Sequence, residues 1–142
     1  MPVFASAAID SSAAPAAFFA RWADMATWPE WNLDTEWVRL DGEFTEGATG
    51  ILKPKGGPKV RFIIERLEPG RRFTDVSLLF GARLTFDHRV STDARGTHVA
   101  VEVGLDGPLA FFWRRILGRG IRASMQPDLD RLGAAVLESQ AA

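Results

Sequence analysis

The sequence predicts an α+β fold in which a curved antiparallel sheet of about seven strands closes over one long C-terminal helix. Between Glu36 and Leu105, hydrophobic residues alternate with a period of two in short runs separated by Gly, Pro and Asp turns, which is typical of an antiparallel meander. From Leu109 onward, hydrophobic residues recur at steps of three and four, which is typical of a helix. A chain of 142 residues without an internal linker is expected to form one domain, residues 1–142.

The first part of the chain is predicted to contain one strand and two short helices. Residues 2–9 alternate loosely and form the predicted first strand. Ser11 or Ser12 is the expected N-cap of a short helix. Pro29 is expected in the first turn of a second short helix. The aromatic residues of these helices are expected to cover one end of the core: Phe18, Phe19, Trp22, Trp28 and Trp31.

Six further strands are predicted from the alternating pattern and the turn residues that separate its runs. In chain order they are Glu36–Asp41, Thr49–Lys53, Val60–Leu67, Arg72–Phe80, Arg83–Ser91 and Thr97–Leu105. Short turns between successive strands predict antiparallel neighbours in the sheet, with one face buried.

The C-terminal helix is expected to span about residues 108–139. Its first half carries one hydrophobic stripe, made of Leu109, Phe112, Trp113, Ile116, Leu117 and Ile121. The stripe of the second half is rotated by about a third of a turn, at ~100° per residue, and consists of Met125, Leu129, Leu132 and Val136. Because proline removes a helical hydrogen bond, we expect a bend between Gly118 and Pro127, where the phase changes.

The turn at Gly81 predicts which side chains share the inner face of the sheet. If Gly81 opens a two-residue loop, Asp75 faces His88 directly and Ser77 lies one diagonal step away. Any loop of even length gives the same faces. The predicted inner face contains Phe73, Asp75, Ser77, Leu79, Leu84, Phe86, His88 and Val90. A four-residue loop at 93–96 pairs these with the next strand, placing Val101 opposite His88 and Val103 opposite Phe86.

Asp75 and His88 are therefore the candidate polar site on an otherwise apolar face. A buried carboxylate beside an imidazole is expected to hold it as imidazolium, or to fix its tautomer. With Ser77, the pair could anchor a polar ligand group or act as a general base. The alternative is a buried pair that only fixes strand register. Ser77 is not expected to be a nucleophile, because it lies on a flat strand and not on an exposed turn.

The composition argues against several classes of site and partner. A net charge of −1 gives no electrostatic case for nucleic-acid binding. With no cysteine, and with His98 on the opposite face from His88, neither a metal site nor a cofactor is predicted. The N-terminus lacks the features of a signal peptide, and no apolar run could span a membrane. A cytoplasmic location is expected.

Four arginines on the C-terminal helix form a basic stripe beside Phe111, Phe112 and Trp113. They are Arg114, Arg115, Arg119 and Arg122. A solvated outer face of a core helix explains them most simply. Peripheral contact with an anionic membrane, or contact with an acidic protein, is the alternative.

Six stretches of the chain form a recognisable set: Asp24 to Asn32 (DMATWPEWN), Gly42 to Gly47 (GEFTEG), Leu67 to Phe73 (LEPGRRF), Phe86 to Val90 (FDHRV), the Gly96-Thr97 turn, and Gly107-Pro-Leu before the last helix. Together they resemble the START-like polyketide cyclase/dehydrase superfamily, which has the helix-grip fold. The resemblance covers nearly the whole chain. It implies a cavity between the sheet and the long helix, with a wall that would include Phe19, Trp28, Trp31, Phe62, Phe86, His88, Val101, Phe112 and Ile116.

The resemblance implies function less sharply than fold, because members range from lipid carriers to ring-closing enzymes. The first interpretation is a carrier or sensor that binds a small, largely hydrophobic ligand, with Asp75 and Ser77 beside His88 as its polar anchor. The second is an enzyme of cyclase, dehydrase or hydrolase type, with His88 as general base oriented by Asp75. The third is a module that contacts a membrane or protein through Arg114–Arg122. The sequence leaves open the ligand, any reaction and the oligomeric state.

Overall fold

The computed structural model describes residues 2–141, which form a curved antiparallel sheet, two α-helices and one 3-10 helix. The strands are β1 (Val3–Ser11), β2 (Thr35–Asp41), β3 (Thr49–Pro54), β4 (Val60–Glu68), β5 (Arg72–Leu79), β6 (Ala82–Asp93) and β7 (Gly96–Asp106). The helices are α1 (Pro15–Ala23), the 3-10 helix (Met25–Glu30) and α2 (Ala110–Ala141). Within the described residues, the seven strands lie in the order β1-β7-β6-β5-β4-β3-β2. The predicted architecture is confirmed.

The strands agree closely with the alternating pattern of the sequence. All six meander strands are present, and β1 continues two residues beyond its predicted end at Ile9, to Ser11. Pairing between β6 and β7 has the predicted register, with His88 opposite Val101 and Phe86 opposite Val103. The side chains predicted to share the inner face therefore do so on these two strands.

The register between β5 and β6 differs from the prediction. Leu79 pairs with Ala82, so the loop is Phe80-Gly81 and glycine takes its second position, with a φ of 68°. His88 consequently lies opposite Phe73, not Asp75, and Asp75 lies opposite Phe86. The shift preserves the parity of the pairing, so Asp75 and His88 still share a face but meet diagonally.

A tertiary contact accounts for the position of this loop. The Leu109 N–H donates to the carbonyl of Gly81 over 2.9 Å, and the Leu109 side chain packs against Gly81. A Cβ atom at Gly81 would lie only 2.7 Å from Leu109 Cδ1. Position 81 therefore requires glycine for two reasons, its positive φ and the close approach of Leu109. The local sequence of the hairpin does not reveal the second reason.

The short helices begin differently from the prediction. Ala14, not Ser11 or Ser12, is the N-cap of α1, because β1 continues to Ser11 and Pro15 occupies the first turn. The Ser11 hydroxyl instead accepts a hydrogen bond from the Ala13 N–H over 3.1 Å. Pro29 lies near the end of the 3-10 helix and not in its first turn.

The long helix α2 is one element that contains Pro127, and the bend expected near this residue stays a prediction. It lies along β1: Arg122 donates to the Phe4 carbonyl and Gln126 to the Ala8 carbonyl. Gly133 permits a close approach, since a Cβ there would be 2.9 Å from Ile9 Cδ1.

The sheet-facing stripe of α2 corrects two predicted wall residues. Trp113, Leu117 and Ile121 pack on the sheet at steps of four, followed by Met125 and then by Leu129, Leu132 and Val136. Phe112 and Ile116 lie outside this stripe and are 45% and 56% exposed. Placing them in the cavity wall was wrong, because a residue one position before a packed one points ~100° away around the helix.

Candidate ligand-binding site

A pocket of about 100 Å³ lies between the inner face of the sheet, the short helices and the second half of α2. Sheet residues and aromatic residues from the N-terminal helices supply most of its wall, and α2 closes it. The lining residues are Trp22, Trp28, Trp31, Asn32, Leu52, Asp75, Ser77, Phe86, His88, Val101, Met125, Asp128, Leu129 and Leu132.

Asp75 and His88 meet in this pocket across strands β5 and β6. His88 Nδ1 lies 3.7 Å from Asp75 Oδ1, and both side chains are less than a tenth exposed. This distance is longer than a hydrogen bond. Nδ1 instead lies 3.3 Å from the carbonyl oxygen of Phe73. Because a carbonyl only accepts, the hydrogen is on Nδ1 and the lone pair is on Nε2.

Aromatic rings surround the His88 imidazole. It stacks on the Phe73 ring, with centroids 4.0 Å apart and planes 4° from parallel. Trp22 approaches it edge-on at 5.3 Å, and Trp28 lies at 6.3 Å. These rings exclude water, so a charge on the imidazole would be poorly solvated.

Burial lowers the pKa of His88 to about 4, and hydrogen bonding to the Phe73 carbonyl offsets only part of that effect. The imidazole is therefore neutral at pH 7. The expectation of an imidazolium beside Asp75 was wrong, because burial disfavours the charged imidazole more than hydrogen bonding to the Phe73 carbonyl favours it. The tautomer is set by the Phe73 carbonyl.

Burial also raises the pKa of Asp75 to about 7, because the ionised carboxylate would lose its hydration. Its Oδ1 atom is fully enclosed and has no hydrogen-bond partner in the described part of the chain. Between about pH 4 and pH 7, both Asp75 and His88 are therefore uncharged. The pair carries one proton that can titrate near neutrality, and this proton belongs to the carboxyl group.

Three other polar atoms of this group are available to the pocket. No hydrogen bond within residues 2–141 involves Asp75 Oδ2, His88 Nε2 or the Ser77 hydroxyl, and none of the three is among the fully enclosed atoms. Between them they can donate and accept hydrogen bonds. The pocket therefore combines a largely apolar wall with the polar groups of Asp75, Ser77 and His88.

A second aspartate on β6 has the opposite environment. Asp87 lies on the other face of the sheet, where Arg72 donates two hydrogen bonds to it and Arg89 and Thr74 one each, over 2.8–3.1 Å. Burial alone would raise the pKa of Asp87, but these hydrogen bonds and the charge of Arg72 outweigh it and hold the pKa below the ordinary value. This side chain stays ionised and joins β5 to β6.

The structure adds two polar residues to the site that the sequence analysis did not select, Asn32 and Asp128. Asp128 is buried on α2 and accepts a hydrogen bond from Arg131, which also donates to the Trp31 carbonyl. Burial raises the pKa of Asp128, and Arg131 offsets part of the rise. The spacing from Met125 to Asp128 to Leu132, three and then four residues, was the signal that this acid faces inward.

Seven of the predicted site residues line this one pocket: Trp28, Trp31, Asp75, Ser77, Phe86, His88 and Val101. Phe62 lies in the neighbouring core. Phe19 packs edge-on against Trp22 and Phe44 and does not line the pocket. Phe112 and Ile116 lie outside it, as described above. What each of these residues does for a ligand stays a prediction.

Within residues 2–141, no group of three or more His, Asp or Glu side chains is placed to hold a metal ion. In the same part of the chain, no helix combines the length and apolar character needed to cross a bilayer.

Comparison with known families matches residues 3–137 to the family described as polyketide cyclase / dehydrase and lipid transport. The chain belongs to this family. The match covers the whole sheet and most of α2, so the predicted resemblance is confirmed. Comparison with curated protein sequences gives no match.

Several solved structures are similar to this protein over almost the entire chain. Protein MLL2253 from Mesorhizobium loti has a TM-score of 0.73 at 16% identity, over 94% of this chain and 96% of that one. Ara h 8.0201 has a TM-score of 0.67 at 14% identity, over 94% and 96%. The di-domain ARO/CYC StfQ from the steffimycin biosynthetic pathway has a TM-score of 0.77 at 12% identity, over 99% of this chain but 53% of StfQ. At these identities the likeness shows the helix-grip fold alone.

Proposed function

We propose that this protein binds a small, largely apolar molecule in the pocket, with a polar group of the ligand held at Asp75, Ser77 and His88. The observation that carries this proposal is the enclosed Oδ1 of Asp75, which has no hydrogen-bond partner in residues 2–141 and belongs, with Ser77 and His88, to the wall of a pocket lined by tryptophans. Unsatisfied polar groups cost free energy when buried, so a ligand that completes their hydrogen bonds gains affinity and orientation.

The protonation states favour a neutral ligand group. His88 Nε2 carries a lone pair and accepts a hydrogen bond from a hydroxyl, and the Ser77 hydroxyl can donate one in return. A carboxylate ligand would meet Asp75, which is itself half ionised near pH 7, in a medium that solvates charge poorly. A phenol, an enol or an alcohol on an apolar body therefore fits better than an acid.

The volume of the pocket sets the size of the first probes. Apolar cavities of about 150 Å³ hold benzene, so a pocket of about 100 Å³ accepts one ring only if its wall adjusts slightly. Met125 is the lining residue best suited to this, because methionine has three rotatable bonds and adapts to irregular spaces. Larger ligands require α2 to move away from the sheet.

Phenol and toluene are a matched pair of probes, since they differ by one hydroxyl. Binding is measured through thermal stabilisation and the fluorescence of the lining tryptophans. We expect phenol to bind more tightly, and the difference to vanish in His88→Phe, which keeps the stacked ring but removes Nε2. His98→Phe, at a partly exposed histidine, is the control. Binding of neither probe, or a preference for phenol in His88→Phe that is as large as in wild type, contradicts the proposal.

Mass spectrometry of an organic extract of the purified protein identifies the natural ligand class. A stoichiometric, largely apolar compound with a hydroxyl or carbonyl group is the expected result for a carrier or sensor. A stoichiometric charged compound would contradict the neutral-ligand assignment.

A second candidate is an enzyme of cyclase, dehydrase or hydrolase type that uses the same residues. The observation that favours it is the pKa of Asp75, about 7, which suits a group that exchanges protons with substrate near neutral pH. Neutral His88 would accept a proton through Nε2 and Asp75 would return one. His88→Gln is expected to abolish turnover and change phenol affinity only a few-fold. Equal losses of both would exclude the enzyme.

A further inference from the structure

Several apolar side chains are exposed together at one end of the molecule. Phe80 in the β5–β6 loop is 83% exposed, and Phe111 in the first turn of α2 is 68% exposed. Phe112 and Ile116 follow on the outer side of the same helix. We call these four residues, with the arginines described below, the aromatic–basic tip. Exposure of apolar side chains to water is unfavourable, and a cluster of them on a protein surface indicates a contact site.

Two hydrogen bonds fix the β5–β6 loop against the start of α2. The Trp113 indole N–H donates to the Phe80 carbonyl over 2.8 Å, and the Leu109 N–H donates to Gly81 over 2.9 Å. The Phe112 ring contacts Trp113 edge-on at 5.5 Å. The loop that carries Phe80 is therefore held against the start of α2, which carries Phe111 and Phe112.

Positive charge is concentrated beside these rings. Residues 107–127 contain Arg114, Arg115, Arg119 and Arg122 but no Asp or Glu. In residues 2–141, no ion pair involves any of these four arginines. Arg122 and Arg114 lie over the Phe4 ring, at 5.7 Å and 6.0 Å. The remainder of the chain has 13 Lys and Arg against 18 Asp and Glu, so residues 107–127 carry a net positive charge and the rest of the chain a net negative one.

We propose that the aromatic–basic tip docks on an anionic lipid bilayer. The rings of Phe80, Phe111 and Phe112 enter the interfacial layer, while the arginines contact lipid phosphates. Charge complementarity supports this occupant, because the basic end is attracted to a negative surface and the acidic remainder is repelled by it. The tip is separate from the pocket, which is lined by the second half of α2. The proposal therefore does not depend on the proposed function.

Co-sedimentation with vesicles tests the proposal. Vesicles of phosphatidylcholine alone are compared with vesicles that also contain phosphatidylserine. We expect binding to the second type, with a loss of about fivefold in partitioning per arginine neutralised and a larger loss on reversal. Arg115→Glu/Arg119→Glu and Phe111→Ser/Phe112→Ser are the test variants. Arg39→Glu/Arg66→Glu makes the same change of charge at exposed positions on β2 and β4.

The result that supports the proposal is binding that requires phosphatidylserine, weakens with salt, and is lost in both test variants but retained in the control. Three results overturn it: no sedimentation with either vesicle, equal loss in the control, or a dimer in solution that only the phenylalanine variant dissociates. The last would assign the tip to a second copy of the chain. Urea unfolding of the test variants should match wild type, which shows that the fold is intact.

Discussion

His88 lies flat on Phe73, its direct partner across β5 and β6, and its Nδ1–H donates to the carbonyl of the same residue. One residue therefore buries the imidazole, fixes its tautomer and leaves Nε2 free for the pocket. Asp75 lies diagonally from His88, and both side chains are neutral between about pH 4 and pH 7. This pair is an uncharged polar site, in contrast to the ionised Asp87 on the opposite face.

Asp75→Asn is expected to stabilise the protein above neutral pH. The pKa of Asp75 in the folded state, about 7, lies above its ordinary value of 3.8, so the folded state binds the proton more tightly than the unfolded state. The free energy of unfolding therefore falls as pH rises between these values, by on the order of 4 kcal/mol in total. Asparagine removes this pH-dependent loss of stability. Urea unfolding at about pH 5 and pH 8 measures the larger part of the loss in wild type. Asp41→Asn, at an exposed site, is the control, and equal pH dependence in wild type and Asp75→Asn would contradict the account.

His88→Phe is expected to remove an acid sensitivity of opposite sign. The pKa of His88 in the folded state, about 4, is below its ordinary value of 6.5, so the unfolded state binds the proton more tightly. The stability contributed by the neutral imidazole is present above the higher value and is lost as pH falls to about 4. In wild type this loss is partly masked by the protonation of Asp75. The free energy of unfolding of His88→Phe and of wild type, compared between about pH 4 and pH 7, isolates the contribution of His88. Parallel stability curves for the two proteins would contradict this account.

Asp87→Asn is expected to destabilise the protein at neutral pH, unlike Asp75→Asn. Arg72, Arg89 and Thr74 lose their charged acceptor, at a cost of roughly 1–3 kcal/mol. Because the folded-state pKa of Asp87 is depressed, its contribution is present above the ordinary pKa and is lost as pH falls through the folded value. Chemical unfolding at neutral and at acidic pH measures both effects. A stabilising Asp87→Asn would refute the ionised assignment.

Gly81→Ala tests the contact that sets the hairpin register. Alanine at a φ of 68° is strained, and its Cβ would collide with Leu109. Gly42→Ala is the matched control, with a φ of 95° and open space around the added atom. We expect Gly81→Ala to lose roughly 1–3 kcal/mol more than Gly42→Ala in denaturant unfolding. Equal losses would show that the Leu109 contact does not constrain the loop.

The sequence predicted most of the fold because its periodicity is local information. The alternation in β6 and β7 determined the pairing of His88 with Val101, and loop parity alone placed Asp75 on the same face as His88. The register of β5 was predicted wrongly, and the contact of its loop with Leu109, from a distant part of the chain, is not visible in the sequence of the hairpin.

The charge states of the site could not be predicted for a related reason. They depend on how completely Trp22 and Trp28 exclude water from His88, and these residues come from elements far from β6 in sequence. The errors at Phe112 and Ile116 arose because two overlapping stripes are possible at the start of α2, and packing on the sheet selects the stripe that contains Trp113 and Leu117. Asp128 was missed because an acidic residue in a helix is ordinarily expected on the solvent-exposed side, even where its neighbours face inward.

The nitrogen-15 spectrum of the His88 side chain during titration with phenol tests the central claim most directly. The account predicts a neutral imidazole at pH 7 with its hydrogen on Nδ1, and a shift of the Nε2 signal when phenol, but not toluene, is added. An imidazolium at pH 7 would contradict the assignment of His88 as the neutral polar anchor of the pocket. So would an Nε2 signal that does not shift when phenol binds.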